Sequence, residues 1–145
     1  MNNDLFEVPI YLNIFNRADL TRKVFAEIQK IRPRKLFITA DGPRKNIKSD
    51  KNKCIEARLI LKEIDWECEV FTNFSKDNKG SYKSAIEGIS WVFKHVDRAI
   101  ILEDDCIPHF SFFRYCQELL DYYEDDKRIA LISGNNFQPI ENKIQ

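Results

Sequence analysis

The chain has 145 residues, 43% of them hydrophobic and 32% charged, with 23 basic and 23 acidic side chains. That is one domain's worth of polypeptide with enough apolar material for a core, which argues against disorder. Zero net charge argues against a dedicated nucleic-acid binder, and apolar runs such as Ala99-Ile100-Ile101-Leu102 are far too short to cross a bilayer.

Met1-Asn2-Asn3-Asp4 has neither the basic nor the apolar stretch of a secretory signal, so a cytoplasmic domain is expected, at most peripheral to the inner face of a membrane. The cysteines at 54, 68, 106 and 116 form no C-x-x-C pair, and only His95 and His109 accompany them. Zinc-ligand spacings cannot be built, and the thiols read as free, mostly buried small hydrophobes. Residues 1–53 carry 12 basic and 6 acidic side chains, and the remainder 11 and 17. Solvated helix faces account for such a skew, as does a basic rim near an anionic ligand.

Val8 to Phe15 reads as a mostly apolar first strand, with Pro9 near its start where a missing N–H does least harm. Asn16-Arg17-Ala18-Asp19 is a turn, with Asp19 as the expected N-cap of a helix carrying Leu20, Val24, Ile28 and Ile31 until Pro33 stops it. Lys35 to Ala40 is the second strand, closed by Asp41-Gly42-Pro43. A lysine-rich loop leads to a helix from Asp50 to Ile64. Trp66 to Thr72 alternates in polarity as a third strand, nearer a sheet edge. Ser81 to Val96 is a helix with Ala85, Ile86, Ile89 and Phe93 as its stripe. Arg98 to Leu102 is the most apolar strand and runs into Glu103-Asp104-Asp105. After Pro108 comes an aromatic helix, Phe110 to Glu124, and Ile129 to Ser133 is a fifth strand closed by Gly134-Asn135-Asn136.

This strict alternation predicts an α/β fold: a Rossmann-like three-layer α/β/α domain with a mostly parallel sheet, spanning 1–145 as a single unit. In such sheets ligands bind beyond the carboxyl ends of the strands, where strand order reverses. Attention therefore falls on Asn16-Arg17, Asp41-Gly42 and Glu103-Asp104-Asp105.

Several chemistries are excluded. No G-x-G-x-x-G follows the first strand, no P-loop exists, and no G-x-S-x-G elbow is present. Four glycines leave little means of wrapping backbone amides around phosphates, so an anionic ligand has to be met by cationic side chains or a metal. Three adjacent carboxylates at a strand end repel one another, and a hard divalent ion with oxygen ligands, Mn²⁺ or Mg²⁺, is their natural compensator. The plainer alternative is a solvated acidic turn before a helix. Asp41 suits a base N–H or a ribose hydroxyl, or is a turn aspartate. Arg17 suits a phosphate or a nucleobase face, or is a surface arginine. Lys83 adds positive potential near a helix start. His109 lies four residues past Asp105 and is read as polar surface rather than a ligand.

The pattern Pro9-Ile10 … Phe15-Asn16-Arg17, then Asp41-Gly42, then Ile100 to Asp105, resembles the nucleotide-sugar-binding half of GT-A-type glycosyltransferases. The stretch Leu102-Glu103-Asp104-Asp105-Cys106-Ile107-Pro108, followed by Phe110, Phe112, Phe113 and Tyr115, is similar to the acidic tripeptide region of the N-acetylglucosaminyltransferase I type and of bacterial family-two-like enzymes. Ile132-Ser133-Gly134-Asn135-Asn136 fits the same pattern, and the resemblance runs over residues 8–137. It implies a truncated GT-A-like domain and a nucleotide-sugar donor, with a UDP-sugar favoured. Asp105 would be the direct metal ligand, Glu103 and Asp104 would contact ribose or donor sugar, and Asp41 would sit by the base. Asn16 and Arg17 would line the nucleotide pocket, with Lys83 near the donor. The resemblance also implies that the carboxylate base and the site for an acceptor glycan or lipid-linked sugar belong to a further half, so no catalytic residue is assigned. The alternative from another class is a non-catalytic α/β module that binds a nucleotide or a protein partner, with an uncovered apolar face driving a homodimer.

Overall fold

The computed structural model describes residues 5–135. Four strands, β1 (Ile10–Ile14), β2 (Lys35–Ala40), β3 (Glu69–Phe74) and β4 (Ile100–Glu103), form one all-parallel sheet in the spatial order β3-β2-β1-β4. The helices are α1 (Ala18–Ile31), α2 (Asp50–Arg58), α3 (Ser81–Val92) and α4 (Phe110–Tyr122).

Because strand side chains alternate in direction, each strand feeds two cores. Ile10, Leu12 and Ile14 of β1 and Leu36 and Ile38 of β2 are buried with Val24, Phe25 and Ile28 of α1, Ala57 of α2 and Phe113 of α4. The opposite-facing Tyr11 and Phe37 pack with Val92 and Ile89 of α3. Three layers result, with α3 the one helix on the second face among the described residues. Each fully buried aliphatic side chain contributes about 1.5–3 kcal/mol relative to exposure, so the first face, the larger cluster, carries most of the stabilisation.

The chain steps outward from β1 through β2 to β3, and then α3 carries it back across the opposite face to β4, on the other side of β1. Strand order therefore reverses between β1 and β4, where an open α/β sheet offers a binding crevice.

Several expected boundaries differ. No strand forms at Ile129 to Ser133: residues 129–135 are irregular, and Leu131 is 80% exposed. Strand propensity needs a partner edge and a covered face, and among the described residues this run finds neither. The segment from Asn136 onward lies outside the described residues. Asp19 does not cap α1; Arg17 is the N-cap residue, with no side-chain cap bond, and its carbonyl accepts from the Thr21 N–H and hydroxyl at 2.9 and 2.8 Å. The helix expected to reach Ile64 ends at Arg58 and tightens into a 3-10 turn, Leu59–Glu63, which still buries Ile60. The third strand begins at Glu69 rather than Trp66, whose indole instead packs on Phe25 and donates to the Pro33 carbonyl at 2.9 Å. The fourth strand starts at Ile100 and includes Glu103, and only alternate residues are buried, with Ile101 37% exposed.

Candidate functional site

A cavity of about 280 Å³ opens beyond the carboxyl ends of β1, β2 and β4, at the reversal of strand order. Asn13, Arg17, Asp41, Arg44, Ser84 and Asp104 are among its walls, together with Glu103.

Arg17 leaves the end of β1 and bridges two acids of the tripeptide. Its guanidinium donates to Asp104 Oδ1 at 2.5 Å and to Asp105 Oδ2 at 2.9 Å. Asp104 is buried, and its second oxygen accepts from the Phe15 N–H at 3.1 Å, so β1 and the β4 turn are stitched together. Burial pushes the Asp104 carboxyl above its ordinary value, and the Phe15 N–H and the Arg17 charge offset this only in part. Asp105 is far more open. Its smaller desolvation also pushes upward, but the charge and hydrogen bond of Arg17 outweigh it and hold this carboxyl below its ordinary value. Adjacent carboxylates thus differ in proton affinity because one is buried and the other is not.

Asp41, at the end of β2, is 4% exposed and has both oxygens engaged. It accepts from the N–H groups of Gly42, Lys79 and Gly80 at 2.8, 2.8 and 3.0 Å and from the Asn78 amide at 2.9 Å. Its role in this structure is to hold the 78–80 loop at the mouth of the cavity. Gly42 follows for reasons of space: a Cβ there would lie 2.5 Å from the Asp77 backbone carbon.

A third buried acid, Asp50, escapes a reading based on strand ends. It is 1% exposed at the start of α2 and pairs with Arg44 through two side-chain bonds at 2.6 and 3.0 Å. The Asn16 amide donates to it at 2.9 Å. These bonds, Arg44 first, hold its carboxyl well below the ordinary range. Arg44 also lies over the Phe15 ring at 5.5 Å. Its only sequence signal is a single acid at the end of a lysine-rich loop.

Asn13 is likewise set by a buried relay. Thr39 donates its one hydroxyl proton to Asn13 Oδ1 at 2.9 Å, so the Tyr11 hydroxyl, 2.7 Å from Thr39 Oγ1, must be the donor to it. The relay runs under α3 at Gly88, where a side chain would overlap the Tyr11 hydroxyl.

The sequence-derived residues divide accordingly. Arg17, Asp41, Glu103 and Asp104 line one cavity. Asn16 is turned to Asp50 and Asp105 to Arg17, each just outside the lining. Lys83 lies away from it, 66% exposed and 3.8 Å from Glu87. At 100° per residue it sits about 200° round the helix from the cavity-lining Ser81. His109 is the N-cap of α4 and accepts from the Ser111 N–H at 3.3 Å. All four cysteines are free; Cys54 and Cys116 are buried, Cys68 is half-buried and Cys106 is exposed.

Donor atoms of Glu103, Asp105 and Cys106 lie within 4.8 Å of one another, all on exposed residues. Burial, a hydrogen bond to Asp105 and the surrounding acids raise the Cys106 thiol above its ordinary value, and its soft sulfur suits a hard, oxygen-preferring ion poorly. The effective donor set is two carboxylates with solvent access, which fits an ion that keeps most of its waters. Asp105 Oδ1 meets only the weak thiol donor at 3.5 Å, whereas Oδ2 belongs to Arg17.

A larger groove, about 1030 Å³, runs beside β4 between the 106–112 turn and residues 131–135. Its walls include Ile101, Ile107, Phe112, Tyr115 and Leu131, and the Tyr115 hydroxyl donates to the Ser133 carbonyl at 3.3 Å. Glu103 lines both spaces. The smaller one holds the convergent charges.

Comparison with known families, characterised proteins and solved structures found no match. No helix among the described residues is long and apolar enough to cross a membrane.

Proposed function

We propose that this chain is the donor-binding part of a metal-dependent glycosyltransferase and takes a nucleotide-diphosphate sugar, of which a UDP-sugar is the first to test. One observation carries the reading: Arg17, Asp41, Glu103 and Asp104 converge from three strand ends on a single cavity at the reversal of strand order. Asp105 and Glu103 would hold Mn²⁺ or Mg²⁺, which supplies Lewis-acid stabilisation of negative charge on a departing diphosphate. Arg17 supplies a fixed positive charge beside the acids, and Asn13, oriented by Thr39, offers an amide to a sugar or ribose hydroxyl. Asp41 keeps the 78–80 loop in place as one wall.

Calorimetric titration of UDP and UDP-sugars, with Mn²⁺ and then with EDTA, tests this. Saturable binding that disappears with EDTA and in Asp105→Ala is the expected result. Asp105 is exposed, so that variant is expected to melt like the wild type. Unchanged affinity in Asp105→Ala would remove the assignment.

The apolar groove beside β4 favours a second reading, a non-catalytic α/β module whose open edge pairs with another copy of the chain. Light scattering separates the two: a concentration-independent monomer that binds UDP excludes the second reading.

A further inference from the structure

The first turn of α3 forms one wall of the strand-end cavity and has a feature unconnected with the acidic tripeptide. Gly80 is its N-cap and supplies no side-chain cap, and the first turn holds no acidic residue. The N–H groups of Ser81, Tyr82 and Lys83 have no partner among the described residues, as the first amides of a helix lack one unless something caps them. Uncapped ends are common and mean little alone. Ser84 makes this one different. It is 8% exposed, it lines the cavity, and its hydroxyl has no hydrogen-bond partner among the described residues. A hydroxyl on the cavity wall that no described residue engages is free to donate to a ligand oxygen there. Ser81 lines the same space one turn earlier, and Arg17 faces it from β1.

Of the acids nearby, Glu103 also lines the cavity and is open to solvent, while the buried ones are already engaged. Asp104 shares its charge with Arg17, Asp50 is paired with Arg44, and Asp41 spends its oxygens on the N–H groups of Gly42, Lys79 and Gly80 and on the Asn78 amide. None of these takes the amides of residues 81–83.

We propose that the N-terminal turn of α3, with the Ser84 and Ser81 hydroxyls, is a seat for a phosphate group that works without a metal. A tetrahedral phosphate has enough acceptor oxygens for hydroxyl, amide and guanidinium donors at once, and a helix N-terminus favours its charge. This deepens the donor reading and rests on it for the molecule that carries the phosphate; the seat itself rests on α3. It divides the labour within a diphosphate: one phosphate on α3, the other toward Asp105.

The test is an amide NMR titration with inorganic phosphate, and separately with UDP, both in EDTA. Saturable shifts of the amides of residues 81–84 are expected for both. Ser84→Ala is expected to weaken phosphate binding by about tenfold, the effect of losing one hydrogen bond to a charged group. Ser84→Asp places a carboxylate in the seat and is expected to abolish the shifts. Ser81→Asp, at an exposed position, serves the same purpose if the first variant does not fold. Absence of shifts at 81–84, or equal affinity in the aspartate variants, overturns the seat. Mn²⁺-dependent UDP binding that ignores Ser84 would overturn the seat and keep the donor reading. Ser84-dependent phosphate binding in EDTA, with no Mn²⁺-dependent UDP binding, would keep the seat and remove that reading.

Discussion

Gly88→Ala is a sharp test of how α3 is seated on the sheet. In an exposed helix this change stabilises by about 1 kcal/mol, because alanine is the better helix former. Here a Cβ would overlap the Tyr11 hydroxyl and stand 3.0 Å from its ring carbon Cζ and 3.2 Å from Thr39 Oγ1. Tyr11 is 1% exposed, in a core with Phe37 and Val92, so its ring has no room to retreat. Overpacking of this kind costs about 1–3 kcal/mol. Pulling the Tyr11 hydroxyl off Thr39 adds about 1 kcal/mol for a buried hydrogen bond. Set against the helix gain, the balance is a loss of about 1–3 kcal/mol, or several degrees of melting temperature at roughly 2–4 °C per kcal/mol. Urea denaturation and thermal melting would measure it, with Tyr11→Phe as the second arm of a double-mutant cycle. Removing the hydroxyl removes the closest clash, so the penalty of Gly88→Ala is expected to shrink in the Tyr11→Phe background by about 1 kcal/mol. A Gly88→Ala protein more stable than wild type, or an unchanged penalty in the double variant, would refute the reasoning.

Two other predictions concern buried acids. Asp41→Asn keeps the size of the side chain but replaces one acceptor oxygen with a donor facing N–H groups; a loss of about 3 kcal/mol is expected. Faster amide exchange at Lys79 and Gly80 should localise the damage, and exchange rates at those two amides equal to wild type would contradict the role given to Asp41. Asp50, with its carboxyl lowered by Arg44, contributes stability that is fully present above its ordinary value of 3.8 and lost as pH falls toward the folded value. Denaturation midpoints measured on either side of that value should therefore fall on the acid side, and Arg44→Met should flatten the fall; an equally steep fall in that variant would place its origin elsewhere.

Much of the architecture was legible because it is written in local periods. The 3.6-residue repeat of Val24 and Ile28, the apolar run of Lys35 to Ala40 and the Gly and Pro punctuation depend on residues close in sequence, and α1, β2 and the start of α2 fall where they indicate. Boundaries failed where a distant partner decided them. Ile129 to Ser133 has the composition of a strand, yet no strand among the described residues pairs with it. Trp66 was drawn out of the third strand by Phe25 and the Pro33 carbonyl.

The site divides in the same way. Strand-end positions pointed to Asn16-Arg17, Asp41-Gly42 and Glu103-Asp104-Asp105, because a parallel sheet brings its carboxyl ends to one edge, and of these Arg17, Asp41, Glu103 and Asp104 line one cavity. Which atom each side chain meets was a tertiary decision. Arg17 meets acids 87 and 88 residues away, and Asp41 is used up by a loop 37 to 39 residues on. Lys83 shares a helix turn with Ser84 but points elsewhere, and Asp50 was hidden until the turn before α2 brought Arg44 to it and the β1–α1 turn brought Asn16. Periodicity marks a helix face but does not decide which face is covered: on α3 the expected Ile86 and Phe93 are 47% and 45% exposed, and Ser84, Gly88 and Val92 are buried instead. The partner a charge finds depends on how the faces are packed, and desolvation at that contact then sets whether Asp104 or Asp105 holds its proton more tightly.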